Sequence, residues 1–224
     1  MKEFKKEKIT LIHGDSFEYI KTLPDNAYDL LIADPPYGIK RSNQVGKSKR
    51  YDHKGNKIID KKWDENPISK EFFIELFRVS KNQVIFGANH FIDQLPEPRN
   101  TQSWLLWDKR EDLIPERSYA DGELAWTSFN KPLRIYRFYF DGFLQRIKQK
   151  RIHPTEKAIN LYKWIIGKYT DGNVTVLDPF GGSMSSAIAF YELGLEATII
   201  ELDEEYYDKA VRRFDEITSQ IKMF

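Results

Sequence analysis

The stretch Val174-Thr175-Val176-Leu177-Asp178-Pro179-Phe180-Gly181-Gly182-Ser183 decides the fold class of this chain. Val174–Leu177 is typical of a short buried strand, and the proline and glycines after it indicate a turn. A helical pattern over Met184–Leu193 follows, and then an apolar strand over Glu196–Glu201. Strand, helix and strand at this spacing are typical of parallel α/β proteins. We therefore expect an α/β fold whose mostly parallel central sheet carries helices on both faces.

The turn in this stretch has features of a ligand-binding loop. Gly181 and Gly182 lack side chains, so a ligand could approach the backbone closely. Glu201 ends the next strand, where nucleotide-binding α/β folds bind a ribose. Asp178 and Glu201 are acidic and the spacing is not Gly-x-Gly-x-x-Gly, so a pyrophosphate is disfavoured. The pattern favours a positively charged nucleoside such as S-adenosylmethionine, and an ordinary tight turn is the alternative.

A second candidate site is the sequence Asp34-Pro35-Pro36-Tyr37, which follows an apolar strand over Asp29–Ala33. Ligands of open α/β sheets bind at the carboxyl ends of the strands. Proline fixes φ and has no backbone donor, so the two prolines give a stiff turn with free carbonyl acceptors. With the Asp34 carboxylate and the flat Tyr37 ring, this turn could hold a planar molecule that bears an NH2 group. The alternative is a turn that only ends the strand.

The remaining apolar patterns predict further elements along the chain. Strands are expected over Lys8–His13, Gln83–Gly87, Ser103–Asp108, Glu123–Phe129 and Leu133–Phe140, with a hairpin at Asp141-Gly142. Helices are expected from Asp15 or Ser16 through Leu23, after an Asn66 cap and Pro67, over Asn89–Leu95, after His153–Lys157 and from near Asp203.

The composition limits the class of protein. The 224 residues, 41% of them hydrophobic, suit one domain over residues 1–224. The net charge of +1 means that any nucleic-acid contact must come from a local basic patch. The absence of cysteine excludes disulfides and a cysteine nucleophile and fits a cytoplasmic protein. We expect neither a signal peptide nor a membrane span.

Two basic segments are candidates for such a patch. Residues 38–66 have few apolar side chains and are either a solvated surface loop or a basic arm that closes over a polyanion. Leu133–Phe140 alternates basic and aromatic residues, which fits an edge strand as well as a nucleic-acid surface. The candidate DNA-binding residues in the two segments are Lys40, Arg41, Lys47, Lys49, Arg50, Arg134 and Arg137.

The order of the motifs resembles the beta group of amino-methylating DNA methyltransferases. In that group a catalytic Asp-Pro-Pro-Tyr lies near the N-terminus and a cofactor-binding Phe-Gly-Gly near the C-terminus. The resemblance is carried by His13–Asp15 through Asp34–Gly38, by His153–Lys157, and by Leu177–Ser183 through Tyr206, with Asp121–Trp126 similar to a later family strand. It implies a Rossmann-like methyltransferase fold that uses S-adenosylmethionine.

The resemblance also implies roles for individual residues. The catalytic residues would be Asp34, Pro35, Pro36 and Tyr37, which hold and stack a flipped base. Glu201 would bind the ribose hydroxyls and Asp15 the adenosine end, while Thr155 and Lys157 would bind the carboxylate of the cofactor. Without that role, Lys157 would be an ordinary solvated lysine. The complete cofactor site would comprise Asp15, Asp34, Thr155, Lys157, Asp178, Phe180, Gly181, Gly182, Ser183 and Glu201.

The implied activity is methylation of the N6 amine of adenine in DNA, without a metal ion, by a monomer or homodimer. An N4-cytosine enzyme, an RNA amino-methyltransferase and a degenerate cofactor-binding module are the alternatives. The chain departs from the family at Met184, where a small residue is usual, and at Ala158, where proline is frequent. Only about residues 131–151 are available for target recognition, so sequence readout would be short or shared with residues 38–66.

Overall fold

The computed structural model describes residues 1–38, 68–97, 103–109, 120–138, 140–141, 144–145 and 156–221 of the chain. Its strands are β1 (Lys2–Lys6), β2 (Ile9–His13), β3 (Tyr28–Ala33), β4 (Ser80–Phe86), β5 (Trp104–Asp108), β6 (Gly122–Thr127), β7 (Arg134–Arg137), β8 (Phe140–Asp141), β9 (Leu144–Gln145), β10 (Thr175–Asp178) and β11 (Glu196–Glu201). Its helices are α1 (Ser16–Lys21), α2 (Lys70–Arg78), α3 (Ile159–Tyr169), α4 (Ser185–Glu192) and α5 (Glu204–Ile221). Two single 3-10 turns lie at Ala88–His90 and Ile92–Gln94.

Most of the strands form one sheet in the order β1-β2-β11-β10-β3-β4-β6-β5-β7. The five consecutive strands β2, β11, β10, β3 and β4 run parallel to one another. β1 is antiparallel to β2, and β6 is antiparallel to both β4 and β5. The expected mostly parallel α/β sheet is confirmed, and β8 and β9 form the hairpin predicted at Asp141-Gly142.

Helices cover both faces of the sheet, and the alternation of side chains along each strand explains why. On β3, Leu30 and Ile32 belong to the core layer under α3, α4 and α5. Leu31 and Ala33 point to the opposite layer, which contains Ile20 of α1 and Phe73 of α2. Successive strand residues point to opposite faces, so a strand buried on both faces is continuously apolar. Burial of each large aliphatic side chain contributes about 1.5–3 kcal/mol.

A change of winding direction occurs between β3 and β10, in the middle of the sheet. From β3 the chain continues through α2 to β4 on one side, whereas from β10 it continues through α4 to β11 on the other. The register pairs Leu31 with Leu177, so Asp34 and Asp178 both lie just beyond the same end of the sheet. This position is a topological switch point, where α/β sheets leave a crevice for ligands.

The two edges of the sheet differ from each other in how well the sequence predicted them. Arg134–Arg137, inside the predicted strand Leu133–Phe140, is an edge strand, as the alternating pattern indicated. The other edge, β1, was not predicted, because Phe4 is the only apolar side chain between Lys2 and Lys6. Phe4 packs edge-on against Phe214 of α5, and this contact fixes β1 on the sheet.

Two local predictions need correction, and one on α5 is not tested. The helix that contains Phe72 begins at Lys70 and is capped by Ser69, whose hydroxyl accepts from the Phe72 N–H, so the Asn66 cap was wrong. The segment Asn89–Leu95 is not one short helix but the two 3-10 turns. On α5, Thr218 is buried on the predicted inward face, while the side chain of Ile221 lies outside the described residues.

The other helices agree with the sequence to within a few residues. The apolar face predicted after His153–Lys157 is buried along α3, at Ala158, Tyr162, Ile165, Ile166 and Tyr169. Asp15 caps α1 by accepting hydrogen bonds from the N–H groups of Phe17 and Glu18. Among the described residues no helix has the length and apolar character needed to cross a bilayer.

Candidate active site

The Asp34 carboxylate is held from two sides at the carboxyl end of β3. The Tyr37 hydroxyl donates to Asp34 Oδ1 at 2.7 Å, and Lys157 Nζ lies 2.6 Å from Asp34 Oδ2. Asp34 keeps 19% of its side-chain surface exposed, so a ligand can still reach the carboxylate. Among the described residues, no group donates a hydrogen bond to the Pro35 carbonyl oxygen. The turn therefore offers two oxygen acceptors, one charged and one neutral.

The Tyr37 ring lies on a glycine. A Cβ at Gly87 would come within 2.1 Å of Tyr37 Cε1, and Gly87 has the left-handed φ of +68°. Only glycine combines that backbone conformation with such a close ring contact. The ring also stacks on His90, with centroids 5.2 Å apart and an angle of 21° between the planes. The end of β4 therefore supports the aromatic side chain of the Asp34 turn.

Lys157 is a buried cation and not a solvated helix-start lysine. Its ammonium bridges Asp34 and Glu123, at 2.6 and 2.9 Å, and Glu123 also pairs with Lys109. Burial alone would lower the pKa of Lys157, but the adjacent charges of Asp34 and Glu123 raise it overall. Burial opposes ionisation of Glu123, yet the two lysines lower its pKa to about 2. Lys157 and Glu123 therefore both carry their charges at neutral pH.

At the end of β10, the Asp178 side chain stabilises the loop that follows it. Its carboxylate accepts hydrogen bonds from the Phe180 N–H at 3.0 Å and from the Ser186 hydroxyl at 2.5 Å. Burial raises the pKa of Asp178 to about 7, against the effect of these hydrogen bonds, and the negative charges of Asp34 and Glu201 raise it further. Asp178 is thus primarily a brace inside the turn.

The two glycines of this loop serve different purposes. A Cβ on Gly181 would lie 2.7 Å from Ile199 Cγ2 and 3.1 Å from the Ile200 carbonyl, so this glycine is required by packing on β11. Gly182 is partly exposed, has a left-handed φ of +52°, and donates its N–H to Glu201 Oε2 at 2.7 Å. The ligand-accessible backbone of the loop is therefore at Gly182.

Glu201 closes the same half of the site. Its other oxygen, Oε1, accepts from the Asp203 N–H at 2.8 Å. Burial raises the pKa of Glu201, while these backbone hydrogen bonds act in the opposite direction. The backbone also brings α1 here, since the Gly14 N–H donates to the Glu201 carbonyl. Asp15, the exposed cap of α1, therefore lies beside the loop that ends β11.

Ser183 is buried behind the loop and is not at its open face. Its hydroxyl is 3.0 Å from that of Ser185, and its carbonyl accepts from Arg213 of α5. Arg213 also pairs with the buried Glu156 at 2.8 Å. Met184, the sequence departure, is fully buried with a left-handed φ of +53°. Phe180 is partly exposed and packs against Phe72 of α2.

The structure brings most of the predicted site residues to one end of the sheet, but not all. Asp34 and Asp178 lie at the same ends of the paired parallel strands β3 and β10, so the two motifs share one edge of the sheet. Arg134 and Arg137 lie on β7, four strands and roughly 19 Å from β3. Thr155 and the candidate DNA-binding residues Lys40, Arg41, Lys47, Lys49 and Arg50 lie outside the described residues.

Several residues of the site were missed by the sequence reasoning. Glu123 and Lys109 support Lys157, Gly87 and His90 support Tyr37, and Glu156 pairs with Arg213. A glycine at the end of the predicted strand Gln83–Gly87 was a usable signal for this position. The ionic partners carried no local signal, because each pair joins residues far apart in sequence. In the part of the chain that the structure describes, no group of three or more acidic or histidine side chains forms a metal site.

Comparison with known proteins supports one family for this chain. Residues 102–212 match the family model described as DNA methylase. The chain is 23% identical to the Type II methyltransferase M2.MboI of Moraxella bovis, over 96% of this chain and 91% of that protein. It is 26% identical to the putative methylase YubD of Escherichia coli (strain K12), over 90% of this chain and 88% of that protein.

Solved structures show the same fold. The M1.HpyAVI–SAM complex is 24% identical, with a TM-score of 0.55, over 92% of this chain and 99% of that chain. TTHA0409 from Thermus thermophilus, complexed with S-adenosyl-L-methionine, is 17% identical with a TM-score of 0.57, over 92% and 94%. The cytosine-N4-specific PvuII methyltransferase is 13% identical with a TM-score of 0.60, over 97% and 94%. The family match and the relatives together support an amino DNA methyltransferase of the N6-adenine and N4-cytosine type.

Proposed function

We propose that this protein transfers a methyl group from S-adenosylmethionine to the N6 amine of an adenine in DNA. The observation that carries the proposal is the meeting of two halves at one switch point. One half holds an aspartate, a proline carbonyl and an aromatic ring after β3. The other half holds the partly exposed backbone of Gly182 and the acidic side chains that end β10 and β11.

The β10–β11 half has the chemistry that a cationic nucleoside requires. The Glu201 oxygens each accept one backbone N–H, and a carboxylate oxygen has two lone pairs, so capacity remains for ribose hydroxyls. Gly182 presents backbone without a side chain, and the acidic side chain of Glu201 gives this half a character that suits a positively charged cofactor. The structural neighbours support this cofactor, because two of the solved structures are complexes with it. When bound, S-adenosylmethionine would supply an electrophilic methyl group.

The β3 half has the chemistry that an amine requires. An exocyclic amine of adenine is a poor nucleophile because its lone pair is delocalised into the ring. Hydrogen bonds accepted by Asp34 and by the Pro35 carbonyl would draw the nitrogen toward tetrahedral geometry. The Asp34 charge would also stabilise the positive charge that develops on nitrogen as the N–C bond forms and the S–C bond breaks. No covalent intermediate on the protein is needed, which agrees with a chain that has no cysteine.

The target base would have to leave the duplex to reach Asp34. A base inside the stack does not expose its amine to a crevice, so enzymes of this kind flip it into a pocket. Tyr37, held on Gly87 and against His90, offers an aromatic surface beside the acceptors. Stacking on a side chain of this type offsets part of the cost of unstacking the base.

Adenine is the proposed target because aspartate, and not serine, precedes Pro35-Pro36-Tyr37. N4-cytosine is the competing target within the family. The experiment is to incubate the protein with methyl-labelled S-adenosylmethionine and duplex DNA, digest the DNA to nucleosides and identify the labelled one. We expect N6-methyladenine. Label in N4-methylcytosine would replace the proposed base, and label only in an RNA control, or none, would overturn the proposed function.

A further inference from the structure

We propose that Lys157 is a positioning residue for methyl transfer: anchored by Glu123, its buried ammonium holds the Asp34 carboxylate in place to accept a hydrogen bond from the target amine. The inference rests on the proposed function and deepens it. It gives Lys157 a different partner from the cofactor carboxylate that the family resemblance implied.

The first observation is geometric. Asp34 follows β3, Glu123 lies on β6 and Lys157 precedes α3, yet one ammonium contacts both carboxylates at 2.6 and 2.9 Å. Only 3% of the Lys157 side-chain surface is exposed. The Phe86 ring of β4 lies under the ammonium, 4.6 Å from Nζ to the ring centroid. Lys157 is therefore fixed between three strands and is not a mobile surface cation.

The second observation is the charge balance of the cluster. A buried lysine between two carboxylates would leave a net negative charge, and isolated buried charges are costly. Lys109 removes that excess by pairing with Glu123, so that two acids face two lysines. Such a closed set leaves the Asp34 carboxylate beside the crevice as an acceptor of N–H groups. Glu123 thus acts through Lys157, and Lys109 acts through Glu123.

The third observation concerns the orientation of Asp34. Lys157 holds Oδ2, and the Tyr37 hydroxyl donates to Oδ1, so the plane of the carboxylate is fixed by two hydrogen-bonding groups. Each oxygen retains a further lone pair, which an incoming amine could use. A carboxylate held in this way does not need to reorganise when the base arrives, and preorganised acceptors of this kind give the largest transition-state stabilisation.

The test compares Lys157→Met with Lys157→Arg, and measures kcat at saturating cofactor separately from the dissociation constant of S-adenosylmethionine. We expect Lys157→Met to lower kcat by about 100-fold or more while cofactor affinity changes less than about 3-fold. Lys157→Arg keeps the positive charge and should recover kcat to within about 10-fold of the wild type. A large loss of cofactor affinity with kcat retained at saturation would overturn the inference and assign Lys157 to the cofactor.

Two further variants complete the test: one is a control at an exposed ion pair, and the other changes the partner of Lys157. Lys81 makes a comparable 2.7 Å ion pair with Asp29, but it is exposed and lies at the opposite end of the strands. Lys81→Met should leave kcat within about 2-fold of wild type. Glu123→Gln keeps Lys157 on Asp34 and should lower kcat by about 10-fold at unchanged cofactor affinity. If Lys157→Met does not fold, Glu123→Gln and Lys157→Arg decide the question, and an unchanged kcat in Glu123→Gln contradicts it.

A thermal denaturation cycle tests the pairing without any activity. Lys157→Met leaves two buried carboxylates without their cation and should lower the melting temperature, by roughly 10 °C. Adding Asp34→Asn to that variant removes one of those charges, so part of the loss should return. If the double variant loses the sum of the melting-temperature decreases of Lys157→Met and Asp34→Asn, the pairing is contradicted. This cycle stays informative if the wild-type protein transfers no methyl group to DNA, an outcome that would defeat the proposed function alone.

Discussion

The two halves of the crevice are stabilised in different ways. At the ends of β10 and β11, the acidic side chains are held by backbone N–H groups of the two loops that follow these strands: Asp178 by Phe180, and Glu201 by Gly182 and Asp203. After β3, Asp34 is instead held by Lys157, which is 123 positions later in the chain. The half proposed for the cofactor is thus locally preorganised, whereas the acceptor half depends on the assembled sheet.

This difference predicts a separation of functions. A change in the β10–β11 half should alter cofactor affinity and leave the chemical step, at saturation, largely intact. A change in the β3 half should alter turnover and leave cofactor affinity intact. The predictions below test that separation, in order of decreasing expected effect.

The largest effect is expected for Asp34→Ala. It removes the charged acceptor from the crevice, and losses of transition-state stabilisation of this kind lower kcat by about 1000-fold or more. Cofactor affinity, measured by calorimetry, should change less than about 3-fold. Asp29→Ala is the matched control, because Asp29 lies on the same strand but binds Thr175 and Lys81 at the far end. An Asp34→Ala variant with near wild-type turnover would remove Asp34 from the mechanism.

Glu201→Gln should affect the opposite half. Both carboxylate oxygens accept backbone N–H groups, so a glutamine must turn its NH2 group against one of them. Because hydrogen bonds to charged groups contribute about 1.5–3 kcal/mol, cofactor affinity should fall by roughly 10- to 100-fold. The saturated kcat should stay within about 3-fold. Glu196→Gln, at the exposed amino end of the same strand, is the control. A fall in saturated kcat with unchanged affinity would reverse the assignment of the two halves.

The prediction with the smallest effect on activity concerns stability, which should depend on pH. Burial raises the pKa of Asp178 to about 7, above the 3.8 of a free aspartate. Below about pH 4 both folded and unfolded forms hold the proton, and between about pH 4 and 7 only the folded form does. The free energy of unfolding should therefore decrease as pH rises through this window, by up to about 4 kcal/mol. Chemical denaturation without cofactor measures it. Asp178→Asn should flatten the profile, and an unchanged slope would contradict the origin in Asp178.

The same contrast explains which parts of the fold followed from the sequence. Strands β3, β10 and β11 are short, continuously apolar and followed by turn residues, so their pattern was sufficient. β1 escaped detection because an edge strand with one buried side chain has almost no apolar signal. Asn66 and Ser69 both carry good capping side chains, and the local sequence could not distinguish them.

The candidate site likewise has one part that the sequence predicts and one part that only the fold reveals. Gly182 belongs to a contiguous motif and Glu201 ends the next strand, so both can be found from pattern and spacing alone. The ionic group of Asp34, Glu123 and Lys157 exists only because β6 inserts beside β4 and α3 packs across the same end. Lys157 therefore resembled a solvated lysine in the sequence but is almost fully buried in the fold. Non-local pairings of charges require the topology before they can be predicted.

A crystal structure of the protein with S-adenosylmethionine tests the central claim most directly. We expect the ribose at Glu201, the methionine part over Gly182, and the methyl carbon about 6 Å from the Asp34 carboxylate. That distance is the sum of one reacting contact and one hydrogen bond of about 3 Å each. A cofactor bound elsewhere, or with its methyl group directed away from Asp34, would contradict it.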